Sequence, residues 1–93
     1  MGRRSLAEQI WEKYAEEPKG KETWLVIYDF QETKPTTKFY DNINRIQTLA
    51  EDGQLIQYSV YMTRDQRAAK AIRDLVHHYE GQVFTFKGEI TEI

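Results

Sequence analysis

Asp29 is the residue whose surroundings most invite chemistry. It stands in the stretch Trp24-Leu25-Val26-Ile27-Tyr28-Asp29-Phe30, where every other residue is apolar or aromatic. Such a run predicts a strand buried on both faces. A carboxylate in that setting needs a partner, because an unpaired buried charge is costly or must take up a proton. A backbone N–H, a basic side chain or a metal ion would each serve. One carboxylate alone holds a hard divalent cation poorly, since magnesium takes several oxygen ligands. Glu32 is a second candidate ligand, and a dimer axis close by would bring another carboxylate from the partner chain. Such a pair would position a metal-activated water for attack on a phosphodiester. The plainer alternative is a strand-end carboxylate that caps loop amides.

Other residue types compete for attention and mostly have simpler explanations. His77 and His78 are adjacent, so on a helix their rings point about 100° apart and do not readily share a ligand. A partly exposed pair near a helix C-terminus, where protonated imidazole is favoured, is the expectation. Arg64, Arg67, Lys70 and Arg73 interleave with Asp65 and Asp74, which predicts helix-surface ion pairs ahead of a phosphate-binding ridge. Lys34 and Lys38 flank the loop after Asp29 and are better placed for a phosphate chain heading toward it. Tyr28, Tyr58 and Tyr61 could stack on bases, although aromatic residues in strands more often fill cores. The sequence holds no Gly-rich phosphate loop, no His-x-x-x-His pair and no combination suggesting a serine triad.

The elements that must position these residues follow from periodicity and punctuation. Ser5-Leu6-Ala7-Glu8 has the form of a capping box, and Leu6, Ile10, Trp11 and Tyr14 fall on one stripe, predicting a docked helix over residues 6–17. Pro18 to Lys21 ends it. After the central strand comes a polar loop, then a helix capped by Thr36 or Thr37 with Phe39, Ile43, Ile46, Leu49 and Ala50 at spacings of three and four. Asp52-Gly53 closes that helix like a left-handed cap. Residues 54–62 form either one bent strand or two short ones. Thr63-Arg64-Asp65-Gln66 is a second capping box, opening a helix that places Ala69, Ile72, Val76 and Tyr79 on one face, with Ala68 and Leu75 beside them, and stops at Glu80-Gly81. Residues 82–87 alternate as a strand, and residues 89–93 are a candidate for another. Two architectures fit this order: a small parallel sheet with a helix on each face, or a ferredoxin-like sheet with both helices on one face. In the second, the opposite sheet face stays bare unless a homodimer partner or the N-terminal helix covers it.

With 93 residues, there is room for one core. A formal net charge of -2 argues against a broadly basic nucleic-acid binder and still allows a local basic groove. There is no cysteine, so disulfides and thiolate sites are excluded. No stretch approaches the roughly 20 apolar residues of a membrane span. The expectation is a soluble, cytoplasmic protein without a membrane partner.

The strand ending Val26-Ile27-Tyr28-Asp29-Phe30, the amphipathic helix after it and the segment Ile56-Gln57-Tyr58-Ser59-Val60-Tyr61 together resemble the small CRISPR-associated Cas-two family. That family closes its first strand with a tyrosine-aspartate pair and carries a Gln-x-Ser-Val-aromatic segment later. The resemblance covers residues 23–87. It implies an α+β, ferredoxin-like sandwich over residues 23–93, dimeric, with residues 1–22 as an added N-terminal helix and linker. It also implies a C-terminal strand that crosses to the partner subunit. Asp29 would be the magnesium-binding catalytic residue. Tyr28, Lys34, Lys38, Ser59 and Tyr61 would contact RNA or DNA, Tyr28, Ser59 and Tyr61 by their match to the motifs and the lysines by their place beside the loop. The function implied is metal-dependent endonuclease, or adaptor to the CRISPR integrase in spacer acquisition. The alternative is a non-catalytic nucleic-acid-binding or toxin-like dimer with no CRISPR role. This chain departs from the family pattern in the loop Gln31-Glu32-Thr33-Lys34-Pro35, where arginines are usual, in Gln54-Leu55, and in Met62-Thr63-Arg64.

Overall fold

Two apolar helix stripes and one face of a sheet make the core. The computed structural model describes residues 4–31 and 34–93. Its elements are α1 (Leu6–Glu12), β1 (Thr23–Asp29), α2 (Thr37–Ala50), β2 (Gln54–Gln57), β3 (Val60–Thr63), α3 (Gln66–His78) and β4 (Gln82–Gly88). The four strands form one sheet in the order β2-β3-β1-β4, and every neighbouring pair is antiparallel. This α+β arrangement is consistent with a ferredoxin-like fold and excludes the parallel alternative.

Each helix starts where a side chain can replace a missing backbone partner. Ser5 accepts from the Glu8 N–H at 3.1 Å and Thr36 from the Phe39 N–H at 3.3 Å. For α3 the cap is Asp65, which accepts from the Arg67 N–H at 2.9 Å; Thr63 lies two residues earlier and accepts from the Asp65 N–H at 3.0 Å. The second capping box is therefore shifted by two residues from the position its sequence suggests. Helix α2 ends at Glu51 in the left-handed conformation, with φ 57°. Gly53 follows at φ 113°, and a side chain there would overlap the Tyr61 phenol. The glycine is thus required by close packing of the β2 approach on Tyr61.

The stripe on α2 buries Phe39, Ile43, Ile46 and Ala50. That on α3 buries Ala69, Ile72 and Val76, with Ala68, Ala71 and Leu75 beside them. Between them and β1 sits an aromatic cluster: the Phe39 ring lies 5.3 Å from Tyr28, 5.0 Å from Phe30 and 5.5 Å from Tyr79, all edge to face. That geometry suits the ring quadrupoles and adds to the gain from burial.

Helix α1 is shorter than its stripe predicts, ending at Glu12 before a run of turns. It is nonetheless docked, with Ala7 and Ile10 buried against α2 and α3. Polar contacts line the same seam. Arg67 donates to the Ala15 carbonyl at 2.9 Å and lies over the Trp11 ring, Lys70 pairs with Glu17, and Tyr14 bridges Asp74 and Arg73. These contacts use the cations of α3 as ion-pair partners, as their interleaving with acids leads one to expect. α1 therefore sits on the helical side of the molecule and leaves the other sheet face open.

Two alternatives left open by the sequence are decided along the rest of the chain. Residues 54–62 are two strands joined at Tyr58-Ser59, not one bent strand. Residues 89–93 carry no strand. No helix among the described residues is long and apolar enough to cross a membrane.

Candidate functional site at the end of the central strand

Strand β1 has two unlike faces. Val26 and Tyr28 point to the helices and are buried, whereas Leu25 and Ile27 alternate to the other face, where no element covers them. Register places Met62 and Phe86 opposite Leu25, and Val60 and Phe84 opposite Ile27. The result is a continuous apolar surface across three strands, with Phe84 59% and Phe86 54% exposed. The expectation of a strand buried on both faces is corrected: a second apolar row is present, but in one chain it is bare. Ile90 borders this surface at a shallow recess of about 160 Å³ that it shares with Leu25, Met62 and Phe86. A recess of that size is below the roughly 300 Å³ of small-molecule pockets.

Asp29 continues the outward row of Leu25 and Ile27 and pairs with Gln82 at the end of the strand. It is exposed. The expectation of a buried carboxylate in need of a partner is therefore corrected: water solvates Asp29. Among the described residues no three His, Asp or Glu side chains converge to hold a metal ion. Glu32, the second candidate ligand, lies outside the described residues.

The remaining sequence-predicted residues divide cleanly. Lys34 and Lys38 are exposed, one in the loop leaving β1 and one in the first turn of α2, so both belong to the Asp29 end of the molecule. Ser59 is exposed at the same end, and its carbonyl accepts from the Tyr28 N–H at 3.0 Å. Tyr28 and Tyr61 do not present rings to a ligand. Tyr28 is 2% exposed and donates its hydroxyl to the Tyr58 carbonyl at 2.5 Å; Tyr61 is fully buried and donates to the Asp52 carbonyl at 3.2 Å. Burial pushes both phenol pKa values well up, so neither hydroxyl ionises near neutrality. For these two the core explanation holds, and base stacking by either ring is excluded in this conformation.

Tyr58 is the reverse case, with 82% of its surface exposed at the β2–β3 turn. Tyr40, which the stripe on α2 gives no reason to single out, donates its hydroxyl to the same Tyr58 carbonyl at 3.2 Å. His77 and His78 are exposed in the last turn of α3, which leads through Gly81 to Gln82 beside Asp29; they sit at a helix C-terminus, in agreement with their simpler explanation. One end of the sheet thus gathers Asp29, Lys34, Lys38, Tyr58 and Ser59. No family model, curated protein or solved structure matches this chain.

Proposed function

We propose that the chain works as a homodimer that handles nucleic acid in the manner of the Cas-two proteins it resembles. The reading rests on one observation: Asp29 lies on the same sheet face as the uncovered row of Leu25, Ile27, Phe84 and Phe86. Covering that row with a second copy removes apolar surface from water at about 25 cal/mol per Å². It also sets Asp29 at the rim of the contact. With a two-fold axis near this end, the two carboxylates become neighbours, and Lys34 and Lys38 of each chain supply cations for a phosphate backbone.

In that dimer the paired carboxylates would suit magnesium, which keeps several waters and is held by one or two carboxylates together with substrate phosphates. Bound there, magnesium would supply a more acidic water and charge neutralisation at the scissile phosphate. The chain's own part is to hold the two Asp29 side chains in place through the mated sheets and to seat the strand on the lysines. Incubation of end-labelled RNA and DNA oligonucleotides with the protein tests this. Cleavage is expected with magnesium and none with EDTA. Binding without cleavage in either condition would favour the adaptor reading of the same dimer, for which the lone acid in each chain already speaks. Failure to bind either nucleic acid would remove the proposal.

A further inference from the structure

We infer that Tyr58 is a stacking platform for an unpaired nucleobase, an assignment that rests on the nucleic-acid reading above and adds a residue to it. A large aromatic side chain with 82% of its surface in water gains nothing from the core of its own chain. Its backbone, in contrast, is held firmly. The Tyr58 carbonyl accepts two phenol hydroxyls, from Tyr28 on the central strand at 2.5 Å and from Tyr40 on α2 at 3.2 Å. The next carbonyl, of Ser59, is tied to the Tyr28 N–H. The turn is therefore anchored to both layers while its side chain is free, so little backbone freedom is lost when a ligand docks.

The surroundings fit a base. The Tyr40 ring stands edge-on to Tyr58 with centroids 6.2 Å apart, backing one side of the platform. Leu55, Ile56, Gln57 and Ser59 line an open concavity of about 650 Å³ with Tyr58, ample for one nucleobase. Ile56, 48% exposed, adds apolar surface, and Gln57 and Ser59 add hydrogen-bonding groups. A paired base inside a duplex has both faces covered, so the ligand is a single strand or an unpaired end.

Binding of a fluorescently labelled single-stranded oligonucleotide to the full chain, read by anisotropy, tests the assignment. Tyr58→Ala is expected to weaken binding by about 5- to 150-fold, the range for one stacked base. Tyr58→Phe keeps the ring and is expected to bind like wild type. Both variants leave the Tyr58 carbonyl and its two hydrogen bonds in place, so unchanged melting temperatures are expected. Removing single bases from the oligonucleotide should weaken wild type at one position and leave Tyr58→Ala indifferent there. If wild type binds and Tyr58→Ala binds equally well, the stacking role is overturned while the dimer proposal stands. If wild type binds no strand at all, both fall together.

Discussion

Asp29→Asn is expected to leave the fold and the oligomeric state unchanged and to lower magnesium-dependent cleavage at least about 100-fold. The scale follows from metal sites generally, where loss of an outer-shell partner alone costs about 10- to 100-fold and a direct ligand matters more. Asparagine keeps the shape of aspartate and removes the charge that attracts the cation. Because Asp29 is exposed at the end of β1, the change in stability should stay within about 0.5 kcal/mol. The loss of rate is then a statement about chemistry, not folding. In a homodimer each substitution enters twice, so the proposed site loses both of its carboxylates at once. A time course of oligonucleotide cleavage beside a urea unfolding curve measures the two quantities together. A variant that cuts as fast as wild type would remove Asp29 from the mechanism.

Ile27→Lys is expected to convert the dimer to monomers, raising the dissociation constant at least about 100-fold. Ile27 lies on the central strand of the bare face, between Val60 and Phe84. In a single chain the lysine ammonium at this position extends into water, and the core on the other side of β1 is untouched. In a mated pair the same ammonium is buried without a counter-charge, which costs about 3–5 kcal/mol. Sedimentation should show the wild type at twice 11.1 kDa and the variant at 11.1 kDa. Cleavage should fall with dimerisation, since a monomer offers one Asp29 where the proposed site needs two. A variant that remains dimeric would place the interface elsewhere.

How far the sequence discloses this molecule varies with the element. The stripes of α2 and α3 identify most of the buried residues, with Leu49 and Tyr79 only half-buried and Ala71 missed, because an amphipathic helix of three or more turns repeats its signal. Strand β1 misleads for a physical reason. Leu25 and Ile27 are as apolar as Val26, and an apolar residue looks the same in sequence whether its own chain covers it or leaves it for another surface. That same ambiguity made Asp29 look buried. Among the tyrosines, composition cannot separate Tyr58 from Tyr28 and Tyr61, but position can. Once Gln57 and Val60 are recognised as strand ends, Tyr58 must lie in the turn, where a side chain points to water. Tyr40 carries no such signal. Its role depends on α2 crossing beside the β2–β3 turn, a tertiary fact that no local spacing contains.

The inter-subunit distance at position 29 bears on all of this at once. The chain contains no cysteine, so Asp29→Cys carries a single spin label at an exposed site, and dipolar coupling then reads the separation between two subunits. Sheets that mate face to face lie about 10 Å apart. The expected result is a separation on that order, lengthened only by the label arms. No coupling, or a separation of 34 Å or more, the middle extent of one subunit, would contradict a shared site built from two copies of Asp29.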